Sequence, residues 1–243
     1  MKILVLQHLA VEHPGSFRSL WAEAGHTWMP VELDAGERLP PLGGFDLMVS
    51  MGGPMDVWQT DRHPWIAEEL AAIRTWVRDM GRPFLGICLG HQMLAAALGG
   101  RVGLMEAPEV GLAPVELTSE GGADPLFSGL GPVLETFQWH GAAVTALPDG
   151  AAVLAMNPAC PTQAIRWGRH AYGLQFHVEI TPATVADWQA IPEYAASLRR
   201  ALGEAGAAAL GERLAPRLPA FAETARRLHD NLGRIAAPLA SLR

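Results

Sequence analysis

The chain opens on an unbroken aliphatic run at residues 3–6, and the same texture returns at residues 46–50 and 83–87. Apolar runs without polar alternation are the pattern of strands covered on both faces, as in a parallel sheet. Between them the spacing predicts helices. One spans residues 16–24 and stops at Gly25; another spans residues 65–79, with Ile66, Leu70, Ile73 and Val77 on one face, and Gly81 and Pro83 marking its end. Residues 27–33 read as a further strand. Strands alternating with helices predict an α/β fold with a parallel sheet.

Beyond residue 100 the pattern changes. Residues 112–117, 133–140, 152–156 and 164–167 read as shorter strands with Gly/Pro-rich joints, which predicts hairpins and therefore a mixed sheet. Residues 171–176 form one more strand that runs into His177, Val178 and Glu179, and Thr181 with Pro182 reads as the cap and first residue of a helix. From residue 192 the composition shifts to Ala, Leu, Arg and Glu without a strand signal, so the chain divides into a domain over residues 1–190 and a helical extension over residues 191–243, interrupted at Pro216, Pro219 and Pro238.

Composition narrows the function. Among 243 residues, 49% are hydrophobic and 18% charged, which favours a globular chain, and a net charge of -7 points away from nucleic acid and toward a small-molecule substrate. The two cysteines, Cys88 and Cys160, make no disulfide framework or zinc spacing. The apolar start is too short for a signal peptide and no segment is long enough to span a bilayer, so the expectation is a cytoplasmic protein with no membrane partner.

The chemistry gathers at residues 83–100, PFLGICLGHQMLAAALGG. An apolar strand ends at Cys88, glycines stand at 86 and 90, and a helical segment follows. This is the G-x-nucleophile-x-G elbow with Cys in place of Ser: the following helix aims free N–H groups at the sulfur, and the N–H of Leu89 is available to an oxyanion. A cysteine nucleophile needs a base, and the base needs a group to orient it. His177 and Glu179, two apart on an extended segment, point to the same side and suit those two roles.

The motifs GICLGHQ (residues 86–92), MGGP (51–54), FQWHG (137–141) and YGLQFHVE (172–179) together resemble the class I glutamine amidotransferases, in particular free-standing members similar to the amidotransferase domain of GMP synthase. The resemblance runs in order through residues 1–189. It implies a three-layer, flavodoxin-like sandwich with a mostly parallel mixed sheet. It also implies that Cys88 attacks the side-chain amide of glutamine, His177 moves the proton, and Glu179 supports His177. Gly53 and Leu89 would form the oxyanion hole, and Gln92, Trp139 and His140 would hold the substrate. No metal or cofactor is called for. Two positions depart from the family pattern: Val178 stands where many relatives have Pro, and Ala142 stands where many carry an acid after His-Gly.

Three functions fit. The chain is a glutaminase supplying ammonia to an acceptor synthase, a self-sufficient hydrolase of γ-glutamyl peptides or amines, or a non-catalytic regulatory module. Residues 191–243 carry no G-x-x-x-x-G-K loop that would mark a synthase domain. Of the other candidates, His91 is fixed in the elbow helix, Cys160 reads as packing, and His8 and His13 lie near strand ends where a substrate contact is conceivable. Trp58, Trp65 and Trp139 are candidates for a cleft rim.

Overall fold

The aliphatic runs become neighbouring strands because each can bury both faces. The computed structural model describes residues 1–240. In it β1 (Lys2–Gln7) is followed by helix α1 (Phe17–Glu23), β2 (Thr27–Glu32), β3 (Leu47–Ser50), α2 (Trp65–Arg74), β4 (Phe84–Ile87) and α3 (Leu89–Ala97). Then come β5 (Arg101–Leu117), α4 (Ser119–Gly122), β6 (Val133–Ala146), β7 (Ala151–Met156), β8 (Ala164–Trp167) and β9 (Ala171–Leu174). The chain closes with α5 (Thr184–Gln189), α6 (Pro192–Ala208), α7 (Leu210–Leu214) and α8 (Leu218–Ala240).

The strands form one sheet in the order β2-β1-β3-β4-β9-β8-β7-β5-β6. Pairing is parallel from β2 through β9 and antiparallel through β8, β7, β5 and β6, so the sheet is mixed: parallel where strands alternate with helices and antiparallel through the shorter strands beyond residue 100. Side chains alternate across it. Ile3 and Val5 pack with Phe17, Leu20 and Trp21 of α1 on one face, while Leu4 and Leu6 pack with Ile66, Ile73 and Met93 of α2 and α3 on the other. The result is a three-layer α/β sandwich.

Three parallel strands end side by side, and this places the site. Ser50 of β3 pairs with Gly86 of β4, and Ile87 of β4 pairs with Leu174 of β9. The loops leaving all three carboxyl ends therefore open on one edge, where open α/β sheets gather their ligands.

The structure differs from the sequence reading at several boundaries. Helix α5 starts at Thr184, not at Pro182; the Thr181 N–H donates to the Thr184 hydroxyl (2.8 Å), so Thr181 and Pro182 belong to the turn before it. Helix α2 passes without a break into a π-turn over Thr75–Asp79. The predicted extension is helical to Ala240, and its residues 241–243 lie outside those described. Pro216 occupies a single 3-10 turn, but Pro219 is the second residue of α8, where its missing N–H costs no hydrogen bond, and the helix continues through Pro238. None of the helices among the described residues is long and apolar enough to cross a membrane.

Helix α8 shares the core of the sheet. Phe221, Ala225, Leu228 and Leu232 are buried in the same cluster as Ile3 and Val5, and Asn231 donates to the carbonyls of Leu126 and Ser128 (2.8 and 2.9 Å). Phe221→Ala should therefore lower the unfolding free energy by about 3–5 kcal/mol in denaturant titration; a loss below about 1 kcal/mol would show that α8 is peripheral.

Candidate active site

Cys88 joins β4 to α3 with φ 53° and ψ -104°, the one non-glycine residue at positive φ among those described. A conformation of this kind costs on the order of 1–3 kcal/mol and persists only where the surroundings impose it. Here the Cys88 N–H donates to Leu174 of β9 (2.8 Å), its carbonyl accepts from His91 and Gln92 at the start of α3, and the Gly90 N–H donates to Met51 (3.0 Å). The fit is close enough that a Cβ on Gly90 would lie 2.0 Å from the Ser50 carbonyl oxygen. Among the described residues, neither the Leu89 nor the Gly53 N–H donates to a protein acceptor.

His177 follows β9 and is locked by a two-way backbone bridge to Phe137 of β6 (2.8 and 3.1 Å). Its Nδ1 lies 2.6 Å from Glu179 Oε1, while Glu179 Oε2 accepts the Val178 N–H (3.0 Å) and the Glu179 carbonyl accepts the Ser16 N–H (2.8 Å). With Nδ1 given to Glu179, the other ring nitrogen is left for the thiol. Burial alone would make His177 harder to protonate, but the Glu179 carboxylate, helped by the neighbouring Cys88 sulfur, outweighs it and holds the ring well above its ordinary value. The edge of the ring meets Trp188 of α5, 4.9 Å between centroids.

A cavity of about 320 Å³ opens over Cys88, and Gly53, Leu89, Gln92, Trp139 and His140 line it. The Trp139 carbonyl oxygen lies 3.9 Å from the sulfur. Gln92 spends its side-chain N–H groups on the Ala142 carbonyl and on Gln175 (both 3.1 Å), which leaves its carbonyl oxygen as the group it can offer. The His140 ring is turned away, between the Ala142 carbonyl (3.0 Å) and Glu109 (3.2 Å), so its backbone is what it can present to the cavity.

Two buried residues at the site escaped the sequence reading. Tyr194 of α6 lines the cavity, and its hydroxyl donates to Glu12 in the loop after β1. Burial pushes the Glu12 carboxyl up, although His177 and the Tyr194 hydroxyl pull it back; burial, Glu12 and Cys88 together push Tyr194 well up. A lone acid in a Gly/Pro loop and a Tyr in a helical extension carry no local signal of meeting. Glu193, Ser197 and Arg200 of α6 complete that wall.

The other candidates separate cleanly. His91 is fully buried against Gly173, and burial brings it down to about 3, so it is a neutral packing group. Cys160 is a buried free thiol beside Thr162 (3.7 Å). His13 faces Arg18 outside the cavity. His8 is fully buried and bonded to Glu69 and Gly52, which removes it as a substrate contact. Trp65 stacks on His8, and Trp58 is exposed outside the cavity, so of the three tryptophans only Trp139 lines it. Among the described residues no group of three or more His, Cys, Asp or Glu is placed to hold a metal ion.

The sequence matches the family glutamine amidotransferase class-I over residues 21–187. It is 35% identical over 190 residues to the glutamine amidotransferase-like protein YfeJ of Salmonella typhimurium, covering 76% of this chain and 78% of that one. It is 42% identical over 150 residues to the glutamine-hydrolyzing GMP synthase of Aeropyrum pernix; that match covers 61% of this chain and only 26% of the synthase. A solved glutamine amidotransferase from Thermotoga maritima superposes with a TM-score of 0.85 at 28% identity, over 97% of this chain and 98% of that one, which bears out the fold that the motifs implied.

The raised His177 value has a definite sign. Its contribution to stability is complete below the unfolded value of about 6.5 and is lost as pH rises through the higher folded value. In Glu179→Gln the ring should lose its proton at a lower pH than in the parent, read by NMR titration, and the loss of unfolding free energy should be largest below pH 6.5. An unchanged midpoint would show that another group holds the imidazolium.

Proposed function

The chain belongs to the class I glutamine amidotransferase family, and on that premise we propose that it hydrolyses the side-chain amide of glutamine, yielding glutamate and ammonia for an acceptor enzyme. The observation that carries this reading is the 2.6 Å His177–Glu179 contact behind a thiol held on a positive-φ elbow. The Cys88 sulfur attacks the amide carbon and the oxyanion is received by the N–H groups of Gly53 and Leu89. His177 delivers its proton to the departing ammonia, leaving a glutamyl thioester. It then takes a proton from water, which attacks the thioester, and returns it to the sulfur as glutamate leaves.

In this reading Gln92 and the backbone of Trp139 and His140 hold the glutamine head group. Residues 1–190 carry the chemistry and helix α6, at the start of the extension over residues 191–243, closes the pocket. Ala142 offers no carboxylate to a substrate ammonium, and Glu193 with Arg200, across the same cavity, supplies a pair of charges suited to an α-ammonium and an α-carboxylate. Both cysteines are free thiols, which suits a reducing cytoplasmic setting.

A second reading, hydrolysis of γ-glutamyl peptides or amines, uses the same thioester. It is favoured by the volume of the cavity, about 320 Å³, which leaves room for a leaving group larger than ammonia.

The test is release of glutamate and ammonia by the purified chain from glutamine and from a panel of γ-glutamyl amides and peptides. Glutamine should be preferred, Cys88→Ala should lose at least about 10³-fold in turnover, and Glu179→Ala should lose less. Preference for peptides or amines would establish the second reading, and no turnover of any substrate, with or without a synthase partner, would sink both.

A further inference from the structure

Behind the loop that carries Gly53 runs a fully buried polar chain that the hydrolytic steps above do not use. The Ser50 hydroxyl donates to Glu69 Oε1 (2.7 Å), Glu69 Oε2 lies 2.8 Å from His8 Nε2, and His8 Nδ1 lies 2.8 Å from the Gly52 carbonyl oxygen. His8, Ser50 and Glu69 have no exposed surface, and Trp65 stacks on the His8 ring at 5.2 Å with the planes 10° apart. Each ring nitrogen faces an acceptor, so the ring donates in both directions when it carries both protons. Burial opposes that charge, but Glu69 and the bonds to Glu69 and Gly52 outweigh it and raise His8 above its ordinary value.

The Gly52 carbonyl and the Gly53 N–H belong to one trans peptide and point in opposite directions. Holding the carbonyl against His8 turns the N–H away from it, and Gly53 lines the cavity together with Cys88 and Leu89. With glycine on both sides, that peptide meets little steric resistance to turning over. Turned over, it would aim a carbonyl at the charge that the N–H is meant to receive.

We infer that His8 is a positioning residue whose Nδ1–H, braced by Glu69 and Ser50, locks the Gly52–Gly53 peptide in the orientation that offers the Gly53 N–H to the oxyanion. The inference rests on the hydrolytic reading, since only an oxyanion needs that N–H. It adds a role for a residue that touches no reacting atom.

The test compares His8→Leu, which removes the donor, with His8→Asn, whose amide nitrogen occupies the place of Nδ1. His8→Leu should lower kcat about 10²–10³-fold, the effect of losing one oxyanion donor, with little change in KM. Alkylation of Cys88 by iodoacetamide, which needs the thiolate but no oxyanion hole, should keep its parental rate. His8→Asn should recover most of kcat. A crystal structure of His8→Leu should show the Gly52–Gly53 peptide turned over or in two orientations. Parental kcat in His8→Leu, equal losses in kcat and alkylation, or a single unchanged peptide orientation would each overturn the lock. Should His8→Leu not fold, Glu69→Gln keeps the shape and removes the brace's charge; it must then lower kcat more than alkylation, and equal changes overturn the lock. A parent that turns over no γ-glutamyl compound would defeat the hydrolytic reading instead, and the peptide orientation in His8→Leu would still decide the lock.

Discussion

The backbone strain at Cys88 is the constraint on which the rest of the structure depends. A cysteine does not adopt φ 53° unless its neighbours leave no alternative. Those neighbours are the two flanking strands: β9 accepts its N–H at Leu174, and the segment leaving β3 accepts the Gly90 N–H at Met51. Because β3, β4 and β9 end in register, the strained turn, the Gly52–Gly53 peptide and the His177 segment are delivered to one place by sheet pairing alone. A parallel sheet suits this purpose, since every one of its strands ends at the same edge.

The helices beyond residue 190 are joined to that arrangement in two ways. Helix α8 packs beside α1 and adds Phe221, Ala225, Leu228 and Leu232 to the apolar cluster that holds Ile3 and Val5. Helix α6 contributes Tyr194 to the cavity and ties it to Glu12, 182 residues away in the chain. A bond between a loop after the first strand and a helix near the end of the chain fixes the cavity wall relative to Cys88 and His177. Burial of both partners makes that bond hard to exchange for water.

Much of this was legible in the sequence where the physics is local. The unbroken apolar runs at residues 3–6 and 46–50 could only be doubly covered strands, and the glycines around Cys88 marked an elbow whose need for close backbone approach is met by Ser50. The two-residue spacing of His177 and Glu179 led to the same partnership, although the segment is an irregular stretch stitched to Phe137 and not a regular strand. What was not legible depends on contacts between distant segments. His8 looked like a loop histidine facing a cleft, because nothing near it in sequence announces Glu69 or the Trp65 ring that bury it. Thr181 looked like a helix cap because Thr-Pro before a helical stretch usually is one, but the Thr184 hydroxyl bonds back to it and moves the helix start.

One arrangement recurs around the thiol. Two histidines near the cavity are each braced by a glutamate: His177 by Glu179 at 2.6 Å and His8 by Glu69 at 2.8 Å. Pairs of this kind are a poor way to gain stability, because removing both charges from water costs about as much as their attraction returns. Apolar side chains of the same volume would hold the fold at least as well. Their physical effect is directional, since a carboxylate on one ring nitrogen fixes which way the other nitrogen, or the group it touches, must point. In each case that second group belongs to the site: the thiol for His177 and the Gly52 carbonyl for His8. The interior of the protein thus gives up apolar packing at two points to orient a thiol and a peptide plane around one cavity.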